Sequence, residues 1–335
     1  MTNPERDPSV VTCASTSAGG GPDAIEVLAP RDVPLGGPRA MRVRRTLPSR
    51  SRSLIGAWCF LDHYGPEDVA VSGGMKVAPH PHTGLQTVSW LFTGEIEHRD
   101  SAGHHAMVRP GELNLMTSGR GISHSEVSPA GTSTLHGVQL WVALPAEHRE
   151  TAPGFVHHVP QPVRGEGHEA RVFLGSLLGS TSPVPTFTPL LGAELLLGPG
   201  ARLELDVDRS FEHGVLVDTG AVRVGDREVA RGELAHVPTG RDRLVLVAGD
   251  APTRLLLLGG PPFGERIVMW WNFVGRSHDE IAAHREEWQA QVRAGDGVVE
   301  DSQRVRPGRF GVVVGDRLPP IPAPPLPNAR LRERG

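Results

Sequence analysis

Short apolar runs broken by glycine and proline recur along most of the chain. Runs such as "GVQLWVALP", "HGVLVDTGAVRVGD", "RLVLVAGD" and "TRLLLLGG" are rich in Val and Leu and are bounded by turn formers. Strands this short at this spacing predict an all-β chain of sandwiches or barrels. One stretch has a different period: "SHDEIAAHREEWQAQVRAG", Ser277 to Gly295, offers Ser277 as N-cap with Glu280 three residues on, then Ile281, Trp288 and Val292 at helical spacing. It predicts the longest helix. The polar start (1–23) and the proline-rich end from Pro319 show no such pattern and read as loose ends. A polar stretch, Gln161 to Arg171, separates two strand-rich halves. The expected units are 24–160, 161–262, a helical segment 263–296 and a tail 297–335.

Composition narrows the function classes. At 335 residues the chain can bury two cores. A net charge of −4 gives no general attraction to nucleic acid or an anionic membrane. No apolar run approaches the ~18 residues of a membrane span. "MRVRRTLPSRSR", Met41 to Arg52, is basic, but alternating arginines on an edge strand read as a solvated face. Cys13 and Cys59 are the two cysteines, too few for a disulfide framework. With no leader-like start, the expected place is the cytoplasm, with neither a membrane nor a direct nucleic-acid partner.

Chemistry enters with "APHPHTGLQTVSWLFTGEIEHRDS", Ala78 to Ser101. Side chains at i and i+2 of a strand share a face, so His80 and His82 point the same way. "MTSGRGISHSEVSP" repeats the spacing with His124 and Glu126. Three imidazoles and a carboxylate suit Fe, Mn, Ni, Cu or Zn, and an octahedral ion would keep two positions open. His104–His105 and His157–His158 are adjacent and would point to opposite faces. The second half has only His213 and His236 at comparable places, and these read as ordinary barrel residues. Trp90, Met116 and Trp141 lie near the ligand strands as pocket wall or as core, and Arg120 either faces the pocket mouth or braces its turn.

The stretch His80 to Glu126 resembles the two cupin motifs and, more narrowly, the pirin family. "RRTLPSRSRSLIGAWCFLDHYGPED", "HGVQLWVALP" and "GGPPFGERIVMWWNFVGRSHDEI" extend the resemblance across roughly residues 24–325. It implies a bicupin: two antiparallel β-barrels of jelly-roll type, with a C-terminal helix packed on the first. It also implies one divalent metal, generally iron, in the first barrel on the residues matching His80, His82, His124 and Glu126, so iron(II) is expected ahead of Mn, Ni, Cu or Zn. Gln86 stands where many pirins have Glu, and strand spacing would put it on the ligand face, beside the metal without touching it. Some pirin-like proteins are quercetinases, which implies a small aromatic substrate, dioxygen, and Glu126 as the base that takes the flavonol proton. Other members imply a redox-sensing regulator that docks a transcription factor or metabolic enzyme. The open coordination positions favour the dioxygenase; loops such as His98–His105 would decide whether its pocket is closed.

Overall fold

The computed structural model describes residues 24–35, 41–293 and 308–335. The expected flexible start (1–23), Cys13 and the first part of the tail lie outside the described residues.

Each half folds as a seven-stranded and a four-stranded antiparallel sheet. In the first half the larger sheet runs Gly154–His158, Leu113–Thr117, Leu85–Thr93, Thr134–Ala143, Trp58–Asp68, Met41–Leu47 and Arg31–Leu35. The smaller is Lys76–His82, Ile122–Val127, Ile96–Asp100 and His105–Val108. The second half repeats the plan, with Glu212–Thr219, Thr253–Gly260 and Leu191–Leu197 central in its large sheet. The strand Glu26–Leu28, from the segment expected to open the first unit, pairs with Leu234–Val237 in that second sheet.

Period-two alternation explains the apolar runs. Leu255 and Leu257 point into the second half among Val215, Val217 and Leu246, whereas Leu256 and Leu258 meet Trp58, Trp90 and Leu140 of the first. A strand buried on both faces reads as an unbroken apolar run, as Leu255–Leu258 does. The interior of the second half is a hydrocarbon cluster. That of the first is divided, with an apolar end around Val43, Leu91 and Val108 and a polar remainder.

The two large sheets also share one buried polar junction. Asp218 Oδ1 accepts from His63 Nε2 at 2.7 Å and His136 Nε2 at 2.6 Å. Burial alone would raise the Asp218 carboxyl, but these hydrogen bonds outweigh it and hold it well below the usual carboxylate range. Burial lowers His63. In both cases the unfolded chain takes up protons first, so the stabilisation is full above pH ~6.5 and declines on acidification, through His63 and then, below about 4, Asp218. Asp218→Ala strands two buried donors and is expected to cost ~3–5 kcal/mol in denaturant unfolding, and the loss of stability below about pH 4 that Asp218 contributes should disappear.

The helix forms as expected, His278–Arg293, with Ser277 Oγ accepting from Glu280 N. Trp270, Trp271, Ile281 and Trp288 bury together beside the first half. The tail is not loose where it is described. Phe310, Val313 and Ala323 are buried, Trp288 Nε1 donates to Ile321 O, and Ile321 N donates to Pro79 O at 2.8 Å. Nor is the basic strand a solvated edge. It lies between two partners, and Arg45 is buried in a bidentate pair with Asp62, 2.7 and 2.8 Å, over the Phe60 ring.

Candidate metal centre

His80 and His82 end one strand of the small sheet, and His124 lies across from His80 on the next. The register slips between His124 and Glu126, where the partner strand carries an extra residue at Ala78–Pro79. That bulge frees two carbonyls. Ala78 O accepts from His80 Nδ1 at 2.9 Å, and Pro79 O takes the Ile321 N–H.

Each imidazole is held through its Nδ1. His82 Nδ1 donates to Asn272 O at 3.1 Å, a carbonyl from the segment that follows the second half. His124 Nδ1 lies 3.4 Å from His98 Nδ1, and His98 Nε2 lies 3.4 Å from Asp100 Oδ2. With Asp100 as terminal acceptor, the protons fall on His98 Nε2 and His124 Nδ1. Burial alone would raise the Asp100 carboxyl, and the hydrogen bonds from His98 and the His104 backbone outweigh it. These tethers leave three Nε2 lone pairs aimed inward. His82 Nε2 and His124 Nε2 stand 3.1 Å apart, and buried His80 Nε2 has no hydrogen-bond partner among the described residues. Burial above all, then neighbouring positive charge, holds all three rings well below the ordinary imidazole range, in the neutral form a metal binds. Converging lone pairs repel one another unless a cation lies between them, so the donors fit a divalent metal.

Ligand atoms of His80, His82 and His124 lie within 4.8 Å of one another. Glu126 belongs to a second such group, with His98 and His124. It is therefore at the trio's flank, and its Oε1 is 3.2 Å from Ser89 Oγ. Ser89 Oγ also lies 2.9 Å from Gln139 Oε1, while Gln139 Nε2 is unpartnered among the described residues. Turning that amide over lets Gln139 donate to Ser89 and leaves the Ser89 proton to Glu126.

The surroundings correct several expectations. Gln86 is not on the ligand face. The strand that carries His82 ends there, and the chain turns at Gly84, whose φ of +67° and contact with Val274 O exclude a Cβ. On the following strand Ser89 faces Glu126, whereas Val88 and Trp90 pack toward the second half. Gln86 shares the latter parity and donates to Thr117 Oγ1. Trp90 is thus core, its ring tilted against Phe173 at 4.6 Å. Trp141 is at the site, parallel to Phe60 at 4.0 Å and edge-on to His82 at 5.2 Å. Arg120 is exposed, and its carbonyl takes Arg309 Nη1. His98 and His105 lie on paired strands, not in a loop. His98 was the residue missed; its signal was the i, i+2 spacing to Asp100 on a strand with buried Ile96.

The Pirin family model matches residues 40–142 and the Pirin C-terminal cupin domain model residues 192–310. The chain is 46% identical over 84% of its length to a Pseudomonas aeruginosa protein named "Putative quercetin 2,3-dioxygenase", covering 86% of that protein. It is 32% identical to human Pirin over 61% of this chain and 72% of that one. A crystal structure of quercetin 2,3-dioxygenase from Acinetobacter baumannii superposes with a TM-score of 0.83 at 35% identity, covering 92% and 97% of the two chains.

Proposed function

Because this chain belongs to the pirin family, with two cupin barrels of which the first contains the histidine trio, we propose that it is a metal-dependent dioxygenase acting on flavonol-like or other hydroxylated aromatic substrates. The convergence of three tethered, neutral imidazoles beside a carboxylate carries this reading. His80, His82, His124 and Glu126 would hold one divalent transition metal, iron(II) ahead of manganese, nickel, copper or zinc. Bound there, such a metal would supply Lewis acidity toward a substrate oxygen and, where it is redox-active as iron is, electrons for dioxygen.

The chain's own groups do the rest. Glu126 accepts the proton of the flavonol hydroxyl, and Ser89 orients that carboxylate through its Oγ. Trp141, fixed against Phe60, offers an aromatic wall beside His82. His98 and Asp100 fix the tautomer of His124.

Protein loaded with iron should consume oxygen when given flavonols or related catechols, and flavonols should release carbon monoxide. No uptake with any of several such compounds would sink the enzymatic reading.

One observation favours a second reading. The side chains of His80, His82, His124 and Glu126 are only 0–1% exposed, so a three-ring substrate has to part side chains to reach them. Phe155 lies against the rings of His98 and His104 beside them. A redox-sensing protein needs only electrons to reach the metal, with its oxidation state altering a surface that docks a transcription factor or metabolic enzyme. A partner whose affinity tracks that oxidation state and vanishes on metal removal would support this alternative. No helix among the described residues is long and apolar enough to cross a membrane.

A further inference from the structure

The second barrel contains a buried imidazole with nothing to bond. His213 opens the strand Glu212–Thr219 and is 1% exposed, yet neither ring nitrogen has a hydrogen-bond partner among the described residues. Its parity is that of Val215 and Val217, which point into the hydrocarbon interior. On one side the ring is set against Gly259, where a Cβ would stand 3.1 Å from His213 Cδ2. Burial lowers the ring's pKa to about 4, so it is neutral, with one donor and one acceptor. Burying both unpaired is unfavourable, and such a group calls for a partner.

The imidazole lines a cavity of about 350 Å³, together with Leu177, Thr186, Leu190, Leu191 and Phe211. Asp206 and Asp208 also line it, both at the protein surface. We propose that this cavity binds a small uncharged phenol, whose hydroxyl pairs with His213 and whose ring lies among the leucines and Phe211. A hydroxyl can donate to the bare ring nitrogen or accept from the ring N–H, so it pairs with either tautomer at whichever nitrogen faces the cavity, whereas a carbonyl could take only the N–H. The two carboxylates disfavour carboxylates and phosphates. A metal is disfavoured because His236, the neighbouring imidazole, is directed to Glu212 at 3.3 Å, leaving His213 as a lone ligand.

The test is calorimetric titration of the full chain with p-cresol, with toluene and benzoate as controls. One saturable site for p-cresol is expected, with weaker binding of toluene and none of benzoate. His213→Leu should weaken p-cresol at least about fivefold, the loss of one ordinary hydrogen bond. Thr186→Trp, which fills the cavity and leaves His213 itself unchanged, should abolish binding. Undiminished affinity in both variants would place the phenol elsewhere and overturn the assignment. Absence of saturable binding to the wild type would do the same, leaving His213 to ordered water. Should His213→Leu fail to fold, Thr186→Trp and the His213 ring ¹⁵N shifts on adding p-cresol decide the matter.

Discussion

Glu126→Gln should slow flavonol-dependent oxygen uptake by at least about a hundredfold while keeping a substantial part of the metal. Glutamine preserves the shape of the side chain and an oxygen able to coordinate, but it loses the charge and nearly all basicity. The three imidazoles, which do not depend on Glu126 for their orientation, still converge on the ion. A positioned base typically contributes ~10²–10⁴-fold, so the loss belongs in that range. Metal content by elemental analysis and oxygen consumption by electrode separate the two roles. A fall of less than about tenfold with the metal retained would assign the proton transfer to another group.

The paired substitution His80→Ala, His124→Ala should take metal content from about one ion per chain to nearly none. It leaves one imidazole and a flanking carboxylate, too few donors to compete with water for a divalent ion. It also opens a cavity among buried side chains, so the metal-free variant should melt below metal-free wild type. Added metal then discriminates between them: at a hundred times Kd it stabilises the wild type by ~2.7 kcal/mol and the variant not at all. Full occupancy of the variant would remove the site from the first barrel. His213→Ala, in contrast, should leave metal content unchanged.

What the sequence made legible was whatever depends on local period. His80 and His82 share a face because strands repeat every two residues, and the helix begins at its cap for an equally local reason. Gln86 was misplaced because the same rule was carried through Gly84, where the strand ends and the parity restarts. Arg45 looked solvated because its partner, Asp62, is a residue of the adjoining strand. The tail looked loose because it docks largely through backbone groups, Ile321 N donating to Pro79 O and Phe310 O accepting from Ser123 Oγ, which composition does not encode.

That docking has a consequence for synthesis. Ser123 leaves the ribosome 187 residues before the Phe310 carbonyl that it finally contacts. At ~5–20 residues per second the delay is roughly 10–40 s. Throughout that interval the outer edge of the His80 strand has no chain to cover it, and the Asn272 carbonyl that orients His82 arrives only late in the same interval. A chain made only as far as Val127 would therefore hold His80, His82 and His124 without the carbonyl that orients His82 and without the segment that closes over the His80 strand, so the order of synthesis leaves the trio accessible before it is covered.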